Sequence, residues 1–330
     1  MIWRSTEDLN TNEQLTVEEI ERASDSIAGI VRRTSMERSR WLSRELARDV
    51  RLKLECFQAT GSFKIRGAMA RLSRLTDQER SRGVLTVSAG NHGAALAHCA
   101  EALGLDATIV VPRSASRAKV EAISRYRIKL VERGNSYDEA ERIARAMERE
   151  SRAIFVSPYN DRDVIAGQGT IALEMLGDAP HLEAMVVPVG GGGLIAGVLV
   201  AAKAMKPKMK VYGVEPAASP TMSKALEAGR IIEIEEEETI ADGLAGNIEP
   251  GSITFPIIQS LIDDIILVSE NSIRKAILRV AREDHLMIEG AAASGIAALS
   301  DSRLEGYSVA TIITGRNISL DLFRSVVESH

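Results

Sequence analysis

The sequence predicts an α/β protein built on open, mostly parallel sheets with helices on both faces. Three observations carry that prediction. Short apolar runs of strand length alternate with amphipathic helical stretches from Gly83 to Pro158 and again from Ala184 to Ile313. Several of these runs end in glycine-rich or polar turns that lead directly into a helix, above all Gly190-Gly191-Gly192-Gly193. The core is aliphatic, since 45% of the 330 residues are hydrophobic and only 4% aromatic. That length suits about two domains. The net charge of −5 supplies no basic excess for nucleic acid or anionic lipid.

In chain order, the first fourteen residues are polar and read as loose. The N-terminus has no apolar stretch of a secretion signal, and no run approaches the ~20 apolar residues of a membrane span. Two cysteines, Cys56 and Cys99, lack metal-ligand spacing and suit a reducing compartment. The chain is therefore expected in the cytoplasm. Thr16 caps a helix with Ile20, Ala23, Ile27 and Ile30 on one face. Residues 32–35 form a loop, and Arg51–Glu55 alternates as a strand that runs into Thr60-Gly61-Ser62-Phe63-Lys64-Ile65-Arg66-Gly67.

A compact lobe follows, with strands at Gly83–Ser88, Ala107–Val111, Lys129–Glu132 and Ala153–Val156. Its helices lie at Gly93–Leu103, Ala118–Tyr126 and Tyr137–Ser151. Beyond it, helices are expected at Gly167–Leu176, Leu194–Lys203, Ala218–Ala228, Glu270–Glu283 and Ser294–Leu299. Strands are expected at Ala184–Val189, Val211–Val214, Ile265–Val268 and Val309–Ile313. The acidic run Glu235–Glu238 reads as a solvated loop.

Several stretches carry chemistry. A strand, four glycines and a helix together make an anion site, because glycines let backbone N–H groups converge and the helix N-terminus adds its dipole. The run lacks the Gly-Lys-Ser/Thr ending of a P-loop and the G-x-G-x-x-G register of a dinucleotide fold. A tight turn without ligand is the plain alternative. Ser88-Ala89-Gly90-Asn91-His92-Gly93 is a second strand-to-helix turn, suited either to a carboxylate or to simple helix capping. Lys64, beside Phe63 and Ile65, becomes a nucleophile if burial frees its amine, and is otherwise a surface lysine at a helix start. Thr314-Gly315-Arg316-Asn317 ends the last strand with a hydroxyl able to bond a neutral pyridine nitrogen, or to serve a turn.

Together these stretches resemble the fold type II pyridoxal-phosphate enzymes, in particular the serine/threonine dehydratase and serine racemase family. The resemblance runs from Arg33-Thr34 to Asn317. It also takes in Gly167-Gln168-Gly169-Thr170, Val214-Glu215-Pro216, Ala241-Asp242-Gly243 and Glu289-Gly290-Ala291. It implies two twisted sheets like those of the tryptophan synthase β chain, with the cofactor in the cleft between domains. The large domain would comprise 1–75 and 161–330, and the small domain 76–160. Lys64 would hold pyridoxal 5'-phosphate as a Schiff base and serve as the catalytic base. Phe63 would pack beside the cofactor and Asn91 would bond its ring hydroxyl. Gly190, Gly191, Gly192, Gly193 and Leu194 would take its phosphate, and Thr314 would face its ring nitrogen. Ser88, Asn91 and His92 would surround the substrate carboxylate.

The resemblance further implies β-elimination from a β-hydroxy amino acid, L-threonine or L-serine first, giving a 2-oxo acid and ammonia. Dehydration of another such substrate (3-hydroxyaspartate or an osmolyte-derived one), serine racemisation, and a non-catalytic metabolite-binding protein are the alternatives. Ala89 stands where racemases carry a second serine, so two-sided proton transfer is disfavoured. Glu215 is present, but the acid that racemases use with it to hold a cation is replaced by Thr221, so weak metal binding or none is expected. Arg316 replaces a usual glycine and either alters the pocket near the pyridine or reaches a substrate acid group. The chain ends soon after Asn317, without the regulatory domain of biosynthetic dehydratases, which favours a catabolic role. Family members are usually dimers or tetramers.

Overall fold

The structure is a computed structural model and describes residues 15–329. The expectation of a loose start falls on residues outside that range. Ten strands occur among the described residues. β1 (Met36–Arg38) and β2 (Val50–Lys53) come first. β3 (Val84–Val87), β4 (Ala107–Val111), β5 (Lys129–Glu132) and β6 (Ile154–Phe155) follow, then β7 (Ala184–Pro188), β8 (Lys210–Pro216), β9 (Asp264–Val268) and β10 (Val309–Ile312). They form two sheets, ordered β1-β2-β10-β7-β8-β9 and β5-β4-β3-β6. Only β1 pairs antiparallel, with Glu37 opposite Leu52; every other pairing is parallel. The expected α/β architecture of two mostly parallel sheets is what the chain forms.

Parallel strands need both faces covered, and β7 shows how this is met. Met185 and Val187 belong to one apolar cluster, with Ile65, Met69, Ile165 and Ile195. Ala184 and Val186 belong to another, with Val214, Ile277 and Ile296. The two-residue side-chain period of a strand sends them to opposite faces. Each fully buried aliphatic side chain contributes ~1.5–3 kcal/mol relative to exposure.

Helix Gly193–Met205 is apolar almost throughout and lies against helix Arg162–Asp178, as their burial requires. Gly197 and Gly169 let the two backbones touch: a Cβ on Gly197 would stand 2.6 Å from the Gly169 nitrogen. Helix Lys64–Ser73 lies on the same layer, its Gly67 against Val164.

Several elements differ from the sequence reading. Ile30 lies beyond helix Val17–Ile27 and is exposed. Four short helices were not anticipated: Arg40–Glu45, Asp77–Arg82, Thr254–Leu261 and Leu320–Glu328. Residues 231–239 form no regular element, and Glu235 to Glu238 are exposed, as a solvated loop requires. Among the described residues no helix is long and apolar enough to cross a membrane.

Candidate active site

Parallel packing makes the C-terminal ends of β2, β10 and β7 neighbours, and these ends lead into the lysine stretch, Thr314 and the glycine run. Ligands in open α/β sheets sit outside such ends. The Ser88–Gly93 turn leaves β3 of the smaller sheet in the same sense.

Lys64 is the first residue of its helix. The preceding turn is tied to the end of β10: Ser62 bridges Gly315, and the Phe63 N–H donates to the Thr314 carbonyl at 3.0 Å. The Lys64 Nζ donates to the Pro158 carbonyl at 2.9 Å and lies 5.2 Å from the Phe63 ring centre. Burial pushes its pKa down to about 8, against the opposing pull of Glu289. Near pH 8 about half of such an amine is free.

The glycine run caps helix Gly193–Met205 without any side-chain cap, so its first N–H groups are left for another acceptor. Gly192 has φ +89°, which favours glycine. A Cβ on Gly191 would stand 2.5 Å from the Tyr159 ring, and one on Gly193 2.9 Å from the Tyr159 Cα. Tyr159 is held by the Glu249 N–H, which donates to its hydroxyl at 3.0 Å. The glycine run and Lys64 therefore meet through consecutive residues, Tyr159 and Pro158. Leu194 is buried behind the run.

Helix Asn91–Leu103 also starts without a side-chain cap, at Gly90. The Ser88 hydroxyl accepts from the Gly90 N–H at 3.1 Å. Asn91 Nδ2 donates to both oxygens of Glu289, at 2.9 and 3.0 Å, and its Oδ1 accepts from Asn317 Nδ2 at 2.6 Å. Asn317 also donates to the Thr60 carbonyl, joining this turn to the lysine turn. His92 is buried; its Nε2–H donates to the Val156 carbonyl at 3.2 Å, which leaves Nδ1 unpaired. Burial, aided by Lys64, lowers its pKa to about 3, so the ring is neutral.

Thr60, Ser62 and Thr314 carry buried hydroxyls without a partner among the described residues. Buried polar groups are seldom left so, and three beside one lysine mark a place for a ligand. Arg316 is exposed, with its guanidinium 5.3 Å from the Phe57 ring centre. Glu215 is fully buried and accepts from the Met222 and Ser223 N–H groups at 2.7 and 2.9 Å, capping helix Thr221–Ala228. Among the described residues no group of three acidic, histidine or cysteine side chains is placed to hold a metal.

The sequence reading assigned no role to Glu289, Asn317, Pro158 or Tyr159. Glu289 and Asn317 lay inside stretches that carried the resemblance, yet only the fold brings Glu289 to Asn91, 198 positions away.

Residues 27–315 match the family model described as "Pyridoxal-phosphate dependent enzyme". The chain is 41% identical to the L-threonine ammonia-lyase of Thermotoga maritima, over 95% of this chain and 78% of that protein. It is 39% identical to the catabolic L-threonine dehydratase TdcB of Escherichia coli K12, over 93% and 94%. Its fold superposes on the structure of maize serine racemase with a TM-score of 0.89 at 34% identity, covering 95% and 97%. By sequence and fold alike, the chain belongs to the family of pyridoxal-phosphate dependent enzymes.

Proposed function

We propose that this chain is a catabolic ammonia-lyase that eliminates the β-hydroxyl of L-threonine or L-serine and releases a 2-oxo acid and ammonia. The observation that carries the reading is the desolvated Lys64 amine, in a turn whose Phe63 N–H donates to the carbonyl of Thr314, with its unpaired hydroxyl, and which is joined to two helix starts that lack side-chain caps. The similarity to the Thermotoga and Escherichia enzymes supports the choice of substrate.

These residues fit pyridoxal phosphate. The N–H groups of Gly190 to Leu194 suit its phosphate, Asn91 its ring hydroxyl and Thr314 its ring nitrogen, with Phe63 beside it. When bound, the cofactor supplies an aldehyde that captures the substrate amine and a conjugated ring that takes up the electron pair left by the Cα proton. Thr314, as a hydroxyl, leaves the ring nitrogen neutral where a carboxylate would protonate it. Lys64 Nζ accepts the Cα proton as general base. The N–H groups at the start of helix Asn91–Leu103, with Ser88, hold the substrate carboxylate. His92 is neutral and buried, and serves that turn from behind. Ala89 offers no proton to the opposite face, which favours elimination over racemisation. The balance is one water lost at the β-carbon and one regained on hydrolysis of the enamine, so threonine becomes 2-oxobutanoate plus ammonia.

We assign residues 76–160 to a small lobe that carries the Asn91 turn, and 1–75 with 161–330 to a large lobe that carries Lys64 and the glycine run. We further propose a homodimer or homotetramer in the cytoplasm. Two free buried thiols suit a reducing compartment, and Leu320, 75% exposed, and Val327 leave apolar surface on the C-terminal helix for a partner copy. Light scattering after gel filtration reads the assembly.

The central test is 2-oxo acid release from threonine and serine. The wild-type chain should turn over at least one of them, with little D-serine formed from L-serine. Lys64→Ala should lower the rate by about 10³-fold or more. Turnover that survives Lys64→Ala, or D-serine as the main product, would overturn the reading.

A further inference from the structure

Glu289 is the carboxylate that the reaction scheme above leaves unused. It occupies the N-cap of helix Gly290–Ala297, yet its side chain makes no capping bond. It turns instead to Asn91, which gives its amide N–H groups to both carboxylate oxygens. The Glu289 N–H donates to the Gly315 carbonyl at 3.2 Å. The carboxylate fills the space where a Gly315 side chain would stand: an added Cβ would lie 2.7 Å from its Cδ and 2.9 Å from its Oε2. Gly315 follows Thr314, so the carboxylate packs against the residue next to the one that carries an unpaired hydroxyl.

The charged groups facing it are few. Lys64 feels its charge from the neighbouring helix. Asp242, with its partner Lys119, acts from the loop and helix over the cleft. Around Lys64 the titratable neighbours are Glu289 and the neutral His92. Burial raises the Glu289 pKa to about 7, against the Asn91 hydrogen bond.

We propose that Glu289 is a positioning residue of this site, whose carboxylate orients the Asn91 amide between the two sheets. A glutamate with no cap to make, wedged against Gly315 and bonded twice to the residue assigned to the ring hydroxyl, has that task within reach. The inference rests on the assignment of Lys64 and Asn91 to the site, but not on the identity of the substrate.

The readout is cofactor affinity by fluorescence titration of the full chain. Glu289→Gln keeps an acceptor for Asn91 and removes the charge. Glu289→Ala should weaken the affinity about tenfold, and Glu289→Gln should restore most of the loss. Equal affinity in the alanine and glutamine variants overturns the orienting role. An affinity of Glu289→Gln about tenfold below the wild type overturns it even if the alanine variant fails to fold. A wild-type chain that binds the cofactor but turns over neither threonine nor serine would remove the proposed reaction and leave this readout meaningful.

Discussion

Lys64 and Arg66 stand two residues apart at the start of one helix, and burial disfavours the charge of both. Their outcomes are opposite. Every guanidinium nitrogen of Arg66 donates: Nε and Nη2 to Glu55 at 2.8 Å, Nη1 and Nη2 to Glu174 at 2.7 and 2.8 Å, and Nη1 to Thr170. Lys53 completes the cluster through Glu174. Burial opposes the Arg66 charge, but Glu55 and Glu174 together outweigh it, so the pKa rises above the ordinary arginine value. Lys64 has one carbonyl for a hydrogen-bond partner and a pKa near 8. The cation that is saturated with carboxylates fixes the helix; the cation left under-partnered has its amine partly free near pH 8. Perturbed groups of the second kind gather at functional sites.

The contrast breaks first at Arg66. Arg66→Met leaves Glu55 and Glu174 buried with only Lys53 to balance them, and should cost about 3–5 kcal/mol in denaturant unfolding. Lys64→Ala should leave stability close to wild type, because it removes a disfavoured charge. If the two variants unfolded alike, the division between a structural and a reactive cation would fail.

Glu215 tests the same idea with the sign reversed. Burial raises its pKa to about 7 despite two backbone donors. A carboxyl with a raised folded pKa binds its proton more tightly in the folded chain. Its contribution is therefore complete below the unfolded value of 4.5 and is lost as pH rises through about 7. The expected loss between those limits is at most roughly 3 kcal/mol. Unfolding curves from pH 4.5 to 8 should show this slope in the wild type, and Glu215→Gln should lack it. Parallel slopes in both proteins would show that the carboxyl is ionised throughout. Glu215 would then resemble the paired carboxylates beneath Arg66.

What the sequence made legible follows the same line. Local chemistry could be read in place. The glycine run opens its helix at Gly193, Lys64 begins its helix, and strands β4 and β5 and helix Glu270–Glu283 fall where periodicity puts them. The missed helices have local causes. Arg40–Glu45 and Asp77–Arg82 are too short and polar to show a period, and Thr254–Leu261 carries Pro256 in its first turn, where proline costs little. Partnerships were out of reach for another reason. Asn91 meets Glu289, and Tyr159 meets Gly191, only because two sheets bring their strand ends together. Nothing in the local pattern of either residue encodes the other. Ile30 fits the helical period, but the helix ends before it: Gly29, at φ +76°, breaks the path.

The smallest expected effect lies where the helix layer of the smaller sheet meets the loop behind the glycine run at the surface. Lys119 Nζ, on helix Arg117–Ser124, meets Asp242 at 2.5 Å, with 43% and 64% of the two side chains exposed. Asp242 is two residues from Leu244, whose Cα lies 3.1 Å from where a Gly190 side chain would begin. The pair therefore links the small sheet's helix layer to the loop behind the glycine run. Geometry alone would make it a latch, but solvent decides its strength. Exposed ion pairs contribute about 0–1 kcal/mol and are screened by salt. Lys119→Ala should lower stability by about 0.5 kcal/mol or less at low salt, and by less still at 1 M salt. A loss as large as that of Arg66→Met, or one that salt does not reduce, would mean that the contact is dry in solution and that helix Arg117–Ser124 is clamped from outside as firmly as the Lys64 helix is held from within.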